Sequence, residues 1–250
     1  MLDGALIPRL RRARRDPALA VLEGFHPLKH ALRFGAEVEA VLTRDAGALE
    51  ELAARLGPDV RERISSLAQE VSDDVFAQLA PLPPSTGVVS LARRPIPDVA
   101  RALADPARAQ VVLLENPRDL GNLGACVRVA AAADAAAVLT TGSHDPWHPD
   151  ALRGAAGLHF ALAVARVELD ELVGANARPL VALDPDGDAL DPARLDPRSM
   201  LAFGTEREGL SAELLANAHA RVRIPMREGV SSLNLATSVA AALFARRLAG

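Results

Sequence analysis

The sequence predicts an α/β protein in which a small N-terminal α/β domain precedes a larger domain with a largely parallel sheet. Short apolar runs alternate with helical stretches along the chain, which is the pattern of α/β architecture. A Pro- and Arg-rich stretch between about residues 93 and 108 breaks this alternation and predicts a linker. We therefore expect a first domain at residues 1–95, a linker at 96–107 and a second domain at 108–250.

The first domain is predicted to contain three strands and three helices. The strand candidates are ALAVLEG, VEAVL and TGVVSLA, and the helix candidates are HPLKHALRFG, AGALEELAARLG and SDDVFAQLA. Gly35 and Gly57 end the first two helices, because glycine is favoured just after a helix, and Ser72 is suited to cap the third.

The second domain continues the alternation with more strongly apolar strands. VVLLEN is as apolar as buried parallel strands usually are, and a turn then leads into the helix GNLGACVRVAAAA. Further strand candidates are AAAVLTT, FALAV, PLVALD, MLAFG and RVRIPM. Parallel α/β sheets bind ligands where strands run out into loops, so we expect the ligand site at the polar or glycine-rich loops LLENPRDLGN, LAFGTEREGLS and RIPMREGVSSLN.

Composition is typical of a soluble cytoplasmic protein. Hydrophobic residues make up 50% of the 250 positions, which is enough for a sizeable core, and the 24% of charged residues is ordinary for a soluble protein. Cys126 is the only cysteine, which excludes a disulfide framework and a cysteine metal cage, and is most simply a small buried hydrophobe. No signal peptide or membrane-spanning run is evident. His144 and His148 lie near acids, but Pro146 and Pro149 exclude a helical zinc pair, so we expect no metal.

The overall charge does not indicate a nucleic-acid partner. The formal net charge is −4, and neither half of the chain is basic. One local exception is the stretch PRLRRARRDP, whose arginines either bind phosphates or form the solvated face of a first helix: Arg9, Arg11, Arg12, Arg14 and Arg15.

The segment ENPRDLGNLGACVRVA leads from a strand through a turn into a helix. Asn122 lies in the turn and Arg128 lies at the second helical turn. An ordinary strand-to-helix turn with a surface arginine is the simplest alternative. A phosphate loop is another, but the G-x-x-x-x-G-K-[ST] spacing is missing.

Two later segments also place polar groups at helix starts. In LAFGTEREGLS, Glu206 stands in the turn, where it could merely compensate a helix dipole, and Ser211 is suited to cap the following helix. In EGVSSLNLATSVAAALFARR, Ser231, Ser232 and Asn234 open a helix whose apolar composition predicts burial. One capping residue would suffice, so three polar side chains favour a bound ligand there.

Together these three segments resemble the SpoU (TrmH-type) family of RNA ribose 2′-O-methyltransferases, within the knotted SPOUT class. The N-terminal VLEGFHPLKHALRFGAEVEAVL is similar to the small ribosomal-protein-like RNA substrate domain that many members carry. The matching positions of the three motifs are Asn122 to Arg128; Gly204, Glu206 and Gly209-Leu210-Ser211; and Ile224-Pro225-Met226, Gly229 and Ser232-Leu233-Asn234.

The resemblance implies a C-terminal trefoil knot that binds S-adenosylmethionine, in a homodimer whose two subunits complete the site. The adenosine would lie against Gly204, Ile224 and Leu233, with Met226 also on the cofactor side. The apolar helix after Asn234 would pack in the knot and at the dimer interface.

The resemblance also implies catalytic roles. In the family, the arginine at the position of Arg128 is held to activate the ribose hydroxyl. A guanidinium is effectively always protonated, however, and is therefore a poor general base. A cation that clamps the neighbouring RNA phosphate and stabilises the developing alkoxide is physically easier. Asn122 and Asn234 would orient the groups, Glu206 would fix Arg128 or the cofactor, and Ser232 would bond the substrate or the methionyl part.

Several alternatives stay open at the level of sequence. A non-catalytic RNA-binding protein that retains the SPOUT fold is one, although such a protein would be expected to lose the arginine or an asparagine. A methyltransferase with a non-RNA substrate is another. The RNA itself is undetermined: transfer RNA, ribosomal RNA and a ribosomal site whose methylation blocks an antibiotic all fit.

Overall fold

The computed structural model describes residues 3–106, 110–170, 172, 178–205 and 208–249. It divides into two compact units. One comprises Met1–Ile96 together with Trp147–Ala161, and the other comprises Pro97–Pro146 together with Leu162–Gly250.

The first unit is built on a mixed four-stranded sheet of strand order β1-β4-β2-β3. Strands β1 and β2 pair antiparallel with β4, whereas β3 pairs parallel with β2. The strands are β1 (Leu19–Glu23), β2 (Val38–Thr43), β3 (Ala68–Glu70) and β4 (Val88–Arg93). The helices before β4 are α1 (Asp3–Ala13), α2 (Phe25–Arg33), α3 (Ala46–Leu56), α4 (Arg61–Leu67) and α5 (Asp73–Phe76).

The three predicted strands and three predicted helices of this region are present, but α4 and β3 were not foreseen. Helix α4 carries charged and polar residues around one buried side chain, Ile64, so its sequence lacks a long apolar stripe. Strand β3 has only three residues and is largely exposed. Both elements are stabilised by packing against their neighbours more than by a pattern of their own.

A buried carboxylate links separate parts of the first unit. The Glu23 side chain at the end of β1 is 3% exposed and accepts hydrogen bonds from Arg14 (2.6 Å) and Arg153 (3.0 Å). Arg153 lies on α8 (Pro149–Gly154), which begins at His148, whose Nδ1 accepts a hydrogen bond from the Asp150 N–H. His148 is thus a helix cap in this structure.

The second unit contains a six-stranded, entirely parallel sheet of order β10-β8-β9-β5-β6-β7. This confirms the predicted parallel α/β architecture. All four residues of β5, β6 and β9 are buried, and full burial of a Val or Leu side chain stabilises a fold by ~1.5–3 kcal/mol. The strands are β5 (Val111–Leu114), β6 (Ala137–Thr140), β7 (Ala163–Arg166), β8 (Leu180–Ala189), β9 (Met200–Phe203) and β10 (Ala220–Arg223).

The helices of this unit that bear on the argument are α6 (Val99–Ala104), α7 (Leu120–Ala132), α9 (Ala212–Asn217) and α10 (Leu235–Leu248). Two strand predictions were displaced: FALAV is split between a 3₁₀ turn (Leu158–Ala161) and the start of β7, and RVRIPM keeps only its first residues in β10. Helix α6 lies inside the stretch predicted as a linker.

Helix α6 is fixed at both ends. The Asp98 side chain caps its start by accepting a hydrogen bond from the Arg101 N–H. At its other end the buried Arg178 guanidinium donates to the carbonyls of Ala102, Leu103 and Asp105. Burial lowers the pKa of Arg178. These long-range contacts explain why a short Pro-flanked sequence is helical here.

Across the described ranges, none of the helices has the length and apolar character that a membrane span requires. In the same residues, His, Cys, Asp and Glu side chains form no group of three that could hold a metal ion.

Candidate active site

The three motif segments meet at the carboxyl edge of the parallel sheet. Strands β5 and β9 are hydrogen-bonded neighbours, and β8 lies between β9 and β10. Because all six strands run in one direction, the loops after β5, β9 and β10 emerge at the same edge. The topology therefore brings together segments more than 100 residues apart in sequence, from Asn122 to Ser232.

The loop after β9 is closed by a very tight backbone contact. A Cβ atom at Gly204 would lie 2.0 Å from the carbonyl carbon of Gly209, so no side chain fits at this position. Thr205 and Gly209 exchange backbone hydrogen bonds of 3.2 and 3.0 Å, and Gly209 has a φ of +66°. Glu206, the predicted acid of this loop, lies outside the described residues.

Strand β8 contains a five-residue bulge where it faces β10. Ala182 pairs with Arg221, but the next partner of β10 is Asp188, so residues 183–187 project from the ladder. A Cβ at Gly187 would lie 2.5 Å from the carbonyl carbon of Arg221, which explains the glycine. The Asp184 side chain pairs with Arg221 at 3.1 Å and anchors the bulge.

An open cavity of about 480 Å³ lies between the bulge, the loop after β9 and the segment that precedes α10. Predicted residues Gly204, Ile224, Met226, Ser232 and Leu233 all line it. Its other apolar walls and its charged side chains were not predicted: Leu183, Phe203, Leu210, Leu215 and Leu235, with Asp184, Asp186, Glu208, Arg221 and Arg223.

Asn122 and Asn234, from the first and third motifs, are hydrogen-bonded to each other. The Asn234 side-chain amide donates to Asn122 Oδ1 at 2.9 Å, while Asn234 Oδ1 accepts from the backbone N–H groups of Ala236 and Thr237. Asp119 in turn caps α7 by accepting from the Asn122 N–H at 2.6 Å. The starts of α7 and α10 are thereby joined.

Two further contacts attach the loop after β5 to the loop after β9. Glu115 Oε2 accepts a hydrogen bond from the Ser211 N–H at 2.7 Å, and Arg118 donates to both carboxylate oxygens of Glu208 at 3.1 Å. Ser211 caps α9 as predicted, by accepting from the Leu214 N–H.

Arg128 occupies the exposed face of α7. It is not among the residues that line the cavity. Within the part of the chain that the structure describes, its guanidinium has no hydrogen-bond or ion-pair partner. Cys126, two residues earlier, is fully buried as predicted.

Helix α10 was predicted to be buried, but in the single chain only one side of it is buried. Its buried residues are Leu235, Val239, Ala242 and Leu243, which lie on one side, where the helix packs against α7. The opposite side carries apolar residues that are only partly covered, among them Ala241 and Phe244, and an 83% exposed Leu248. The seven consecutive apolar residues at 239–245 therefore lie on both sides of the helix, and the described part of the chain buries only one of these sides.

A sequence signal for the missed part of the cavity existed. Asp184-Pro185-Asp186-Gly187 is a turn-type sequence that begins at the last residue of the apolar strand candidate PLVALD, and such a sequence indicates where a strand departs from its ladder. The contacts Glu115–Ser211 and Arg118–Glu208 had no such signal, because they join exposed residues more than 80 positions apart.

Residues 109–244, more than half of the chain, match the family model described as the SpoU rRNA Methylase family. The chain belongs to this family. An uncharacterized tRNA/rRNA methyltransferase of Mycobacterium bovis is 37% identical to it over 191 residues, which are 72% of this chain. That match covers 65% of the relative's own length.

Two further relatives of this SpoU-family chain match over nearly its whole length. The 23S rRNA (adenosine(1067)-2′-O)-methyltransferase of Streptomyces laurentii is 30% identical over 249 residues, covering 94% of this chain and 88% of that protein. The crystal structure of an AdoMet-bound rRNA methyltransferase from Sinorhizobium meliloti aligns with a TM-score of 0.76 at 26% identity, covering 100% of this chain and 96% of that one.

We predict that Asn234 stabilises the folded protein mainly by capping α10, and less by its hydrogen bond to Asn122. Asn234→Ala removes both the cap and the bond to Asn122, and should lower the free energy of unfolding by about 1 kcal/mol. Asn234→Asp keeps an acceptor for the Ala236 and Thr237 N–H groups and should lose less than half of that. Urea denaturation measures both. If the aspartate variant were as unstable as the alanine variant, the bond to Asn122 would be the dominant contribution.

Proposed function

We propose that this protein is an S-adenosylmethionine-dependent RNA methyltransferase that methylates a ribose 2′-hydroxyl in ribosomal or transfer RNA. The observation that carries this proposal is that the second and third family motifs line one cavity, and that the first motif is joined to the third by the hydrogen bond between Asn122 and Asn234. The named activity of the Streptomyces relative and the AdoMet-bound structure from Sinorhizobium support it. The proposed chemistry requires no metal.

The cavity fits the cofactor in size and character. Ligand pockets usually have volumes of about 300–1,000 Å³ with mostly apolar walls and a few polar groups, and this one has about 480 Å³. Gly204, Ile224, Met226 and Leu233 form an apolar surface suited to an adenine ring. When bound, S-adenosylmethionine supplies an electrophilic methyl group on a sulfonium.

The polar residues of the motifs would then align and activate the ribose. Arg128, exposed and without a described partner, is available to grip an RNA phosphate and to stabilise the alkoxide that forms as the hydroxyl loses its proton. Asn122 and Asn234 join the starts of α7 and α10 through their hydrogen bond. Ser232 lines the cavity and is placed to bond the substrate or the methionyl part, and Glu206 would orient Arg128 or the cofactor.

We further propose that the segments after β8, β9 and β10 form the trefoil knot of the SPOUT class. Two glycine contacts support it, because Gly204 and Gly187 each let one backbone approach another so closely that no side chain fits between them. Close backbone approaches of this kind allow the segments to pack as tightly as a threaded arrangement would require.

The partly exposed side of α10 supports a homodimer. Ala241, Phe244 and Leu248 recur at helical spacing on the side opposite the buried residues. A second copy would cover this stripe. Since Arg128 does not line the cavity of its own chain, a partner subunit would also complete the site.

The first unit, including residues 1–95, is proposed to select the RNA in the cytoplasm. Two arginines of the stretch PRLRRARRDP have acidic partners, because Arg9 pairs with Glu39 and Arg14 with Glu23. Arg11, Arg12 and Arg15 are exposed and their guanidinium groups have no partner in the described residues, so they are free to contact phosphates.

Transfer of a labelled methyl group from S-adenosylmethionine to RNA tests the central proposal. Wild-type protein should methylate RNA from cells that lack the gene, at ribose 2′-oxygens. Arg128→Ala should slow single-turnover transfer by about 10²–10³-fold, because a preorganised charge stabiliser is lost, while calorimetric cofactor affinity stays within about threefold. RNA binding by a protein that transfers no methyl group would favour the non-catalytic alternative.

Arg128→Lys separates charge from geometry. A lysine keeps the charge but lacks the planar pair of donors that grips a phosphate, so it should restore little activity. If lysine restored most of the rate, charge alone would suffice and the clamp would be wrong. Near-normal single-turnover rates for Arg128→Ala would remove Arg128 from catalysis altogether.

The arginines of the stretch PRLRRARRDP should separate into two classes. Replacing Arg11, Arg12 and Arg15 by glutamine should lower the slope of log K against log salt for RNA binding by up to about three, one for each phosphate contact. Stability should be unaffected. Arg14→Gln should instead lower the free energy of unfolding by about 1–3 kcal/mol, since it leaves the buried Glu23 carboxylate with one partner fewer. An unchanged slope in the triple variant would show that these three arginines contact no RNA phosphate and are simply exposed to solvent.

Sedimentation velocity tests the homodimer. Wild-type protein should sediment as a dimer without RNA, and Ala241→Glu, which places a charge in the apolar stripe of α10, should shift it to monomer. Ala54→Glu, on the exposed side of α3, is the matched control and should stay dimeric. A monomeric wild type at micromolar concentration contradicts the dimer.

A further inference from the structure

One end of the cavity is charged, and it is made by the β8 bulge and strand β10. Asp184, Asp186, Arg221 and Arg223 all line it there. The walls contributed by Phe203, Leu210, Leu215, Ile224 and Leu233 are apolar. The cavity is therefore divided into an apolar part and a part that offers both signs of charge.

The bulge holds Asp186 in a fixed place. Asp184, whose side chain is 11% exposed, pairs with Arg221 and also accepts a hydrogen bond from the Asp186 N–H at 2.8 Å. Gly187 follows immediately and lies against the backbone of Arg221. The Asp186 carboxylate itself is exposed at the cavity and forms no ion pair with any described residue.

Arg223 supplies the opposite charge at the same end. One of its terminal N–H groups donates to the carbonyl of Gly187, the residue after Asp186, and this bond fixes the guanidinium beside the bulge. A guanidinium has five N–H donors, so the remaining ones can bind a carboxylate. Asp184 and Arg221 neutralise each other, which leaves Asp186 and Arg223 as the available charges.

We propose that Asp186 and Arg223 bind the zwitterionic α-amino acid end of the cofactor, with Asp186 accepting from its ammonium and Arg223 donating to its carboxylate. This inference rests on the proposed function, in which S-adenosylmethionine occupies the cavity. A zwitterion carries an ammonium and a carboxylate, so it is bound by one negative and one positive side chain at the same end of the cavity. The adenine ring is bound instead by the apolar walls. Asp186 is thus a specificity-determining residue for ligands that carry an amino acid tail.

Calorimetry with two ligands that differ in that tail tests the assignment. S-Adenosylhomocysteine carries the amino acid end, and 5′-methylthioadenosine has the same adenosine and sulfur without it. Asp186→Asn should weaken binding of S-adenosylhomocysteine by about five- to tenfold, between the effects of an exposed ion pair and of a buried charge-assisted hydrogen bond. Its affinity for 5′-methylthioadenosine should change by less than twofold.

Asp188→Asn is the matched control, because Asp188 is an exposed carboxylate on the same strand that does not line the cavity. It should leave both affinities unchanged. Equal weakening of both ligands by Asp186→Asn overturns the inference, since the residue would then act on the adenosine or on the fold. No weakening of either also overturns it. If the wild type bound neither ligand nor S-adenosylmethionine, the proposed function itself would fail.

Discussion

The backbone of Gly204 approaches the Gly209–Leu210 peptide so closely that a Cβ at residue 204 would lie 2.0 Å from the carbonyl carbon of Gly209. This contact turns the chain sharply after β9 and places Thr205 and Glu208 on the rim of the cavity. The same device recurs at Gly187, where the β8 bulge lies against β10. Two walls of the cavity thus depend on positions where only hydrogen fits on the α-carbon, since any larger group would separate the segments.

Polar contacts then hold the loops to one another. Asn234 caps α10 and reaches Asn122 at the start of α7, and Glu115 holds the start of α9 through the Ser211 N–H. Each side chain satisfies backbone donors that the first turn of a helix leaves unpaired. The side chains that cap these helices also fix the geometry of the site. A substitution at one of them therefore changes both the stability of the fold and the alignment of the site residues.

The first unit shows how residues that look equivalent in sequence differ in the fold. The arginines of the stretch PRLRRARRDP form one basic cluster by composition, but Arg14 reaches a buried carboxylate while Arg11, Arg12 and Arg15 face solvent. Burial decides the difference, because a carboxylate removed from water requires a partner and an exposed arginine does not. In the second unit, the side of α10 opposite its buried residues is only partly covered by the described part of the chain, which makes the helix suited to an interface as well as to the core.

Sequence alone determined the class of fold, most of the strands and the caps Ser211 and Asn234, because periodicity and capping chemistry are local properties. Five of the residues that line the cavity followed from the resemblance of the motifs to the SpoU family. The tertiary structure decided what local pattern does not encode. It placed Asn122 beside Asn234, turned Asp184-Pro185-Asp186-Gly187 into a wall of the cavity, and left Arg128 on an exposed face outside it. It also made a helix of the Pro-flanked segment before β5, through the carbonyl contacts of Arg178. Each of these depends on contacts between residues far apart in the chain, whose geometry is set only once the parallel sheet is assembled.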